Sequence, residues 1–129
     1  MAMPRNLPQP AFRAVYPAVA KSATLARRAV QGYCADWGRD AVADEAALVV
    51  TELVANVVRH AHTDIDVQVL RTPHGVRLEV SDGSTHLPVR RKAGPLSDGG
   101  RGLGLVDMLS ASSGVDARSD GKTVWAELE

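Results

Sequence analysis

The hydrophobic and polar positions of this chain follow two different periods, and the change from one to the other marks its elements. Apolar residues recur at helical spacing from Ala18 to Trp37, and again from a candidate cap at Asp40 to about His62. Alternating apolar and polar residues predict strands over 11–16, 65–69, 76–82, 114–118 and 122–128, and a short helical pattern covers about 102–111. Hairpin-linked strands with three helices predict an α+β fold, a two-layer sandwich with the helices on one face of an antiparallel or mixed sheet.

Two stretches of the chain lack such periodicity. Residues 1–10 hold three prolines and are expected to form a flexible tail, so the domain is predicted over residues 11–129. Residues 83–100 combine Gly, Pro and Ser with the basic triplet Arg90–Lys92. A stretch of this length without its own elements is typically functional or disordered.

A narrow polar stripe runs along the otherwise apolar second helix. Glu52, Asn56 and His60 follow one another at intervals of four residues. Each step of four advances about 40° round a helix, so the three lie within about 80°. Carboxylate and carboxamide oxygens suit Mg²⁺, which commonly binds together with substrate phosphates. The same spacing also arises on an ordinary solvated helix face, so the stripe alone leaves both interpretations open.

Two further features follow downstream. Gly100, Gly102 and Gly104 have no Cβ atoms where a ligand would approach the backbone, and the helix that follows them offers an anion site at its N-terminus. The strand over 76–82 ends in Asp82, whose carboxylate can accept a hydrogen bond from an amino group such as the exocyclic amine of adenine. Each feature has an ordinary alternative, a flexible glycine-rich loop in the first case and an Asp-Gly turn in the second.

The order of these three features resembles that of the GHKL ATPase superfamily, over about residues 11–128. The segments Thr51–Ala61 (TELVANVVRHA), Gly100–Val106 (GRGLGLV) and Gly121–Leu128 (GKTVWAEL) are similar to the single-domain branch of anti-sigma-factor serine kinases. The resemblance implies the Bergerat fold of histidine-kinase and Hsp90-like ATPase domains, with ATP and Mg²⁺ as cofactors.

The resemblance also implies roles for single residues. Asn56 would ligate Mg²⁺, and Glu52 would be the catalytic residue that orients or deprotonates the attacking hydroxyl or water. Asp82 would recognise adenine, and Thr123 would help to hold it. The remaining nucleotide contacts would come from Gly100, Gly102, Leu103 and Gly104, with the backbone N–H groups of Gly102 and Gly104 on the phosphates.

The branch implies a regulatory function. We expect a serine/threonine-protein kinase of transcription regulation that phosphorylates a small antagonist protein and sequesters a sigma factor. Members of this branch are commonly homodimers, and the sequence leaves dimerisation of this chain open. In the wider superfamily the strand-end motif is Asp-x-Gly-x-Gly, whereas here Asp82 is followed by Gly83-Ser84-Thr85-His86. This departure weakens the expectation of tight nucleotide binding and of an ordered lid over 83–100. The alternative is a catalytically weak or inactive module that binds ATP or sequesters a partner.

The amino-acid composition limits the classes of partner that we expect for this chain. The chain has 129 residues and no net charge, with 15 basic and 15 acidic side chains, so nothing favours nucleic acid or an anionic membrane. No apolar run approaches the roughly 20 residues of a membrane span, and we expect a cytoplasmic protein. The single cysteine, Cys34, lies in a helical pattern with Val30 and Trp37 and is predicted to be a core thiol.

Overall fold

The computed structural model describes residues 10–85 and 98–129, which form five strands and three helices. In chain order these are β1 (Pro10–Tyr16), α1 (Lys21–Asp36), α2 (Asp40–His60), β2 (Ile65–Arg71), β3 (Val76–Asp82), α3 (Asp98–Leu109), β4 (Ser112–Arg118) and β5 (Gly121–Leu128). The predicted α+β architecture is confirmed. None of the helices in these ranges is long and apolar enough to cross a membrane.

The strands form one sheet in the order β1-β2-β3-β5-β4, and every neighbouring pair is antiparallel. The alternation in β3 and β5 decides which face each residue occupies. Val76, Leu78 and Val80 of β3 are buried on one face, and the even-numbered residues of β5 lie opposite them on the same face. This face carries the apolar residues that pack against the helices.

The three helices form the second layer, with α2 at its centre. α2 contacts α1 and α3 as well as β3 and β5. Its apolar stripe, which includes Val50, Leu53, Val54 and Val57, is buried in a single cluster with the helix-facing strand residues. Burial of apolar surface at roughly 25 cal/mol per Å² makes this cluster the main source of stability. Cys34 is fully buried within it, as predicted.

The opposite face of the sheet carries a polar network. Arg77 donates hydrogen bonds to Glu79 at 2.8 Å and to Glu127 at 2.9 Å. Its guanidinium lies 4.2 Å from the centroid of the Trp125 ring. Trp125 in turn lies across Gly114 on the neighbouring strand, where a Cβ atom would come within 2.7 Å of the ring. The side chains of this network and Trp125 therefore all belong to the strands themselves.

Hydrogen bonds at both ends fix the direction of α2 along the sheet. Arg39, which precedes α2, donates to the carbonyl oxygens of Thr72 and Gly75 in the turn between β2 and β3, at 3.0 and 3.1 Å. Beyond the other end of α2, the Thr63 hydroxyl accepts the N–H of Gly83 at 2.9 Å. α2 therefore runs from the β2–β3 turn to the end of the sheet where β3 terminates.

Two boundaries differ from the sequence prediction in ways that matter for function. α3 begins at Asp98 rather than at about Gly102, so Gly99 and Gly100, which precede the predicted helix, lie inside the observed one. Asp40 occupies the first turn of α2 and makes no capping hydrogen bond from its side chain; Arg39 is the flanking residue. Residues 1–9 of the predicted tail and residues 86–97 of the predicted lid, with its basic triplet, lie outside the described ranges.

Candidate nucleotide site

Glu52 and Asn56 lie on the flank of α2 that turns away from α1. The α1 side is marked by Asp44, whose carboxylate accepts a hydrogen bond from Gln31 of α1 at 3.3 Å. Glu52 lies about 80° and Asn56 about 120° farther round the helix axis from Asp44. This rotation turns both residues away from the α1 side of the helix.

Both side chains are half-buried and unengaged. Neither Glu52 nor Asn56 makes a hydrogen bond or an ion pair with another residue of the described ranges. His60, the third member of the stripe, is exposed at the last turn of the helix. The oxygens of Glu52 and Asn56 are therefore available to water or to a ligand.

Asp82 is the most buried carboxylate of the candidate site, and its partner is Lys122. The two residues lie directly opposite each other on β3 and β5. The ammonium nitrogen is 3.0 Å from Oδ1 and 2.9 Å from Oδ2 of Asp82, and the N–H of Ser84 donates to Oδ1 at 2.8 Å. The side chains are only 0% and 7% exposed for Asp82 and Lys122.

The two carboxylate oxygens of Asp82 differ in what they already accept. Oδ1 accepts hydrogen bonds from both Lys122 and Ser84. Oδ2 is buried and accepts no hydrogen bond from a described residue, although the same ammonium nitrogen lies 2.9 Å from it in an ion pair. Oδ2 is thus a buried acceptor with unused capacity, next to a cation with further N–H groups.

The structure does not bring Thr123 to this site. Thr123 pairs with Ser81, one residue before Asp82, and side chains alternate along a strand, so it lies on the opposite face of the sheet from Asp82. There its hydroxyl lies 2.7 Å from the Ser81 hydroxyl and accepts a hydrogen bond from Arg118 at 2.7 Å. The β5 residue that faces Asp82 is Lys122. We therefore leave Thr123 out of the proposed site.

The glycine-rich segment forms the first half of α3. Gly100, Gly102 and Leu103 all lie in this helix. Only the first four N–H groups of a helix lack an internal partner. Gly104, seven residues in, therefore has its N–H in the helix ladder, so the predicted phosphate contact through that group is not what this conformation offers.

Gly104 offers open space instead. A Cβ atom built on it meets nothing within 4 Å, and its φ is not positive. Neither packing nor backbone conformation therefore requires a glycine here, although glycine in a helix interior costs about 1 kcal/mol relative to alanine. The missing side chain is accounted for if a ligand approaches the helix at this position.

Hydrogen bonds relate α2 and α3 to the two ends of the sheet. The C-terminal half of α2, with Asn56, runs toward the end where β3 terminates in Asp82. α3 leads into β4 through Ala111, whose N–H donates to the carbonyl of Glu127 at the far end of β5. A helix of this length extends about 18 Å, so its N-terminal half lies away from Glu127.

The predicted site did not include Lys122, although the sequence carries a signal for it. In β5 the residues at 124, 126 and 128 are apolar and buried, so the period of two also puts position 122 on the helix-facing side. A lysine on a buried strand face needs a partner. The sequence therefore signals a buried lysine, and the pairing of β3 with β5 identifies its partner as Asp82.

The side-chain oxygens of the candidate site fit one Mg²⁺ ion, provided that a bound phosphate compound supplies most of its other ligands. Within the described residues there is no group of three or more His, Cys, Asp or Glu side chains that could hold a metal by itself. The unengaged Asn56 oxygen is a hard ligand of the kind that Mg²⁺ takes when phosphates and waters complete its shell. The residues present therefore fit Mg²⁺ only together with a bound phosphate compound.

Comparison with known proteins agrees with this geometry. The model of a histidine kinase-like ATPase domain matches residues 16–128, which is nearly the entire chain. No curated protein was found to match the chain. The match spans α2, the Asp82 strand end, α3 and β5, and it supports ATP binding by this chain. The chain belongs to the histidine kinase-like ATPase domain family.

Proposed function

We propose that this chain binds ATP with Mg²⁺ and transfers the γ-phosphoryl group to a serine of a small antagonist protein, while another of its surfaces sequesters a sigma factor. The observation that carries the proposal is that Glu52 and Asn56 are unengaged on α2, the helix that runs to the end of the sheet where β3 terminates in the buried Asp82. An unengaged carboxylate one helical turn from an unengaged carboxamide is an arrangement that phosphoryl transfer uses.

The roles of the residues follow from their chemistry. The adenine amino group donates to the free Oδ2 of Asp82, and Asn56 holds Mg²⁺ through its carboxamide oxygen. The metal, when bound, neutralises charge on the phosphates. Glu52 accepts the proton of the attacking serine hydroxyl as the new P–O bond forms and the bond to the β-phosphate breaks, with ADP as the leaving group.

The nucleotide part is tested by calorimetric titration of ATP, with Mg²⁺ and with EDTA in its place. We expect Mg²⁺-dependent binding that is weakened at least tenfold, about 1.4 kcal/mol, in Asn56→Ala. Gln68→Ala is the matched control, because Gln68 is a half-buried amide on the opposite face of the sheet. Binding that is independent of Mg²⁺ and unaffected by Asn56→Ala would remove Asn56 from the site.

The kinase part is tested by incubating the protein and labelled ATP with small antagonist proteins from the same cell, and by locating phosphoserine with mass spectrometry. Glu52→Gln should keep ATP binding and reduce transfer by about 10²–10⁴-fold. Glu45→Gln is the control, since seven residues place it on the same stripe of α2 about two turns away. Transfer that survives in Glu52→Gln shows that Glu52 is not the base.

One observation favours a second function. Asp82 is already paired with Lys122 and closed to solvent, which lowers the gain from a bound base. In this case the chain acts by sequestering a partner and is catalytically weak or inactive. Equal inhibition of the partner with and without ATP, together with no phosphoserine on any antagonist, would establish the sequestering module in place of the kinase.

A further inference from the structure

We propose that Lys122 reads the nucleobase together with Asp82: its ammonium donates a hydrogen bond to N1 of adenine, while Oδ2 of Asp82 accepts one from the 6-amino group. The inference rests on the proposed ATP site and adds a specificity-determining residue to it. Lys122 belongs to neither the polar stripe nor the glycine-rich segment, so it is an independent part of the site.

The hydrogen-bonding capacity of the pair carries the proposal. A lysine ammonium has three N–H donors and no acceptor. Within the described residues Lys122 uses one of them, on Oδ1 of Asp82 at 3.0 Å. Oδ2 lies 2.9 Å from the same nitrogen and accepts no hydrogen bond there. The pair therefore presents a free donor beside a free acceptor.

Adenine is the complement of this arrangement. Its Watson–Crick edge carries an amino donor at position 6 next to an acceptor at N1, and proteins commonly read a base through this edge. Asp82 alone can accept from the amino group but cannot test N1. Lys122 supplies the missing donor without giving up its hydrogen bond to Oδ1, because one ammonium serves several acceptors.

The setting of Lys122 argues against a purely structural role. The other helix-facing residues of β5, at positions 124, 126 and 128, are apolar and at most 7% exposed. Desolvation of a buried ion pair offsets much of its attraction, and apolar residues of similar size often stabilise a fold equally well. The pair also lies at the end of β3 and near the start of β5, next to Gly83.

Burial sets the size of the expected effect. The side chains of Asp82 and Lys122 are 0% and 7% exposed, so the pair lies in a low-dielectric setting. A ligand that lacks an acceptor at N1 leaves one N–H group of the Lys122 ammonium without a hydrogen bond. A hydrogen bond to a charged group contributes roughly 1.5–3 kcal/mol. We therefore expect replacement of N1 by CH to weaken binding about ten- to hundredfold.

The experiment combines analogues of ATP with variants of the protein. Calorimetric titrations compare ATP with 1-deaza-ATP, in which N1 is replaced by CH, and with purine riboside triphosphate, which lacks the 6-amino group. The wild-type protein should bind both analogues about ten- to hundredfold more weakly than ATP. Lys122→Met should bind ATP and 1-deaza-ATP equally, yet still discriminate against purine riboside triphosphate, because Asp82 is retained.

The control variant is Lys21→Met, the same chemical change at an exposed lysine at the start of α1; it should discriminate as the wild type does. Equal affinity of the wild type for ATP and 1-deaza-ATP overturns the inference and leaves the ATP site intact, and this result needs no variant to fold. Full discrimination retained in Lys122→Met also overturns it. No ATP binding by the wild type overturns the proposed function itself.

Discussion

Replacing Gly104 with alanine separates the demands of the fold from those of the ligand. Gly104 lies in the interior of α3, its φ is not positive, and an added Cβ meets no atom within 4 Å. Alanine therefore fits the folded protein without strain. The unfolded chain loses conformational freedom at the same time, which also favours folding.

The magnitude follows from helix propensity. Glycine is about 0.8–1.0 kcal/mol less favourable than alanine in a helix interior, so Gly104→Ala should stabilise the protein by about that amount. For a domain of this size 1 kcal/mol raises the midpoint of thermal unfolding by roughly 4 °C. A methyl group where a phosphate approaches the helix acts in the opposite direction. Overpacking costs about 1–3 kcal/mol, so we expect ATP to bind at least about fivefold more weakly.

Gly32→Ala is the matched control. Gly32 is also an interior helical glycine with open space around its Cβ position, but it lies on α1. Thermal melts without ligand should show both variants stabilised, and ATP titration should show only Gly104→Ala weakened. If Gly104→Ala binds ATP as the wild type does, the open space at α3 is not a ligand surface. If it is destabilised, the geometry of α3 differs from the one described.

Three further predictions test the framework around the site. Gly75→Ala should destabilise the protein by about 1–3 kcal/mol, because its Cβ would overlap the Leu128 carbonyl; urea denaturation measures this, and unchanged stability would contradict the close approach. Thr123→Val should leave ATP affinity within about twofold, since Thr123 faces away from Asp82; a larger loss in calorimetry would return it to the site. Burial raises the pKa of the Cys34 thiol from 9.0 to about 11. The stability that the protein gains by keeping this thiol protonated is therefore complete below about pH 9 and is lost as the pH rises toward 11. A thiol reagent should accordingly label Cys34 at pH 8 only as fast as the protein unfolds, and rapid labelling of the native protein would be inconsistent with its burial.

Periodicity was sufficient to predict most of the fold. β3 was predicted at its observed bounds, Val76–Asp82, because strict alternation and the Asp-Gly turn agree there. The start of α3 was misplaced because glycine is a poor helix former, so local propensity favours a loop over residues 98–101. The structure continues the helix back to Asp98.

Chemistry within the candidate site was predicted less completely. The stripe of Glu52 and Asn56 follows from helix geometry alone and is found on one flank of α2. Thr123 was chosen by resemblance, but its face depends on strand register, and a shift of one residue exchanges the two faces of a sheet. The partner of Asp82 likewise depends on the pairing of β3 with β5, which lie 40 residues apart and are joined through α3 and β4. Sequence patterns describe each element separately, so a contact of this range is known only when the sheet order is known.

Single and double substitutions of the Asp82–Lys122 pair distinguish a role in the stability of the fold from a role in ligand recognition. Removing one partner of a buried ion pair typically costs about 3–5 kcal/mol, whereas replacing both with apolar residues is often neutral or stabilising. Lys122→Met and Asp82→Leu should each lower the free energy of unfolding by that amount in urea, and the double variant should regain most of it. If the double variant is as stable as the wild type but no longer binds ATP, the pair serves the ligand. If it remains as unstable as the single variants, the pair holds β3 to β5, and base reading by Lys122 loses its physical basis.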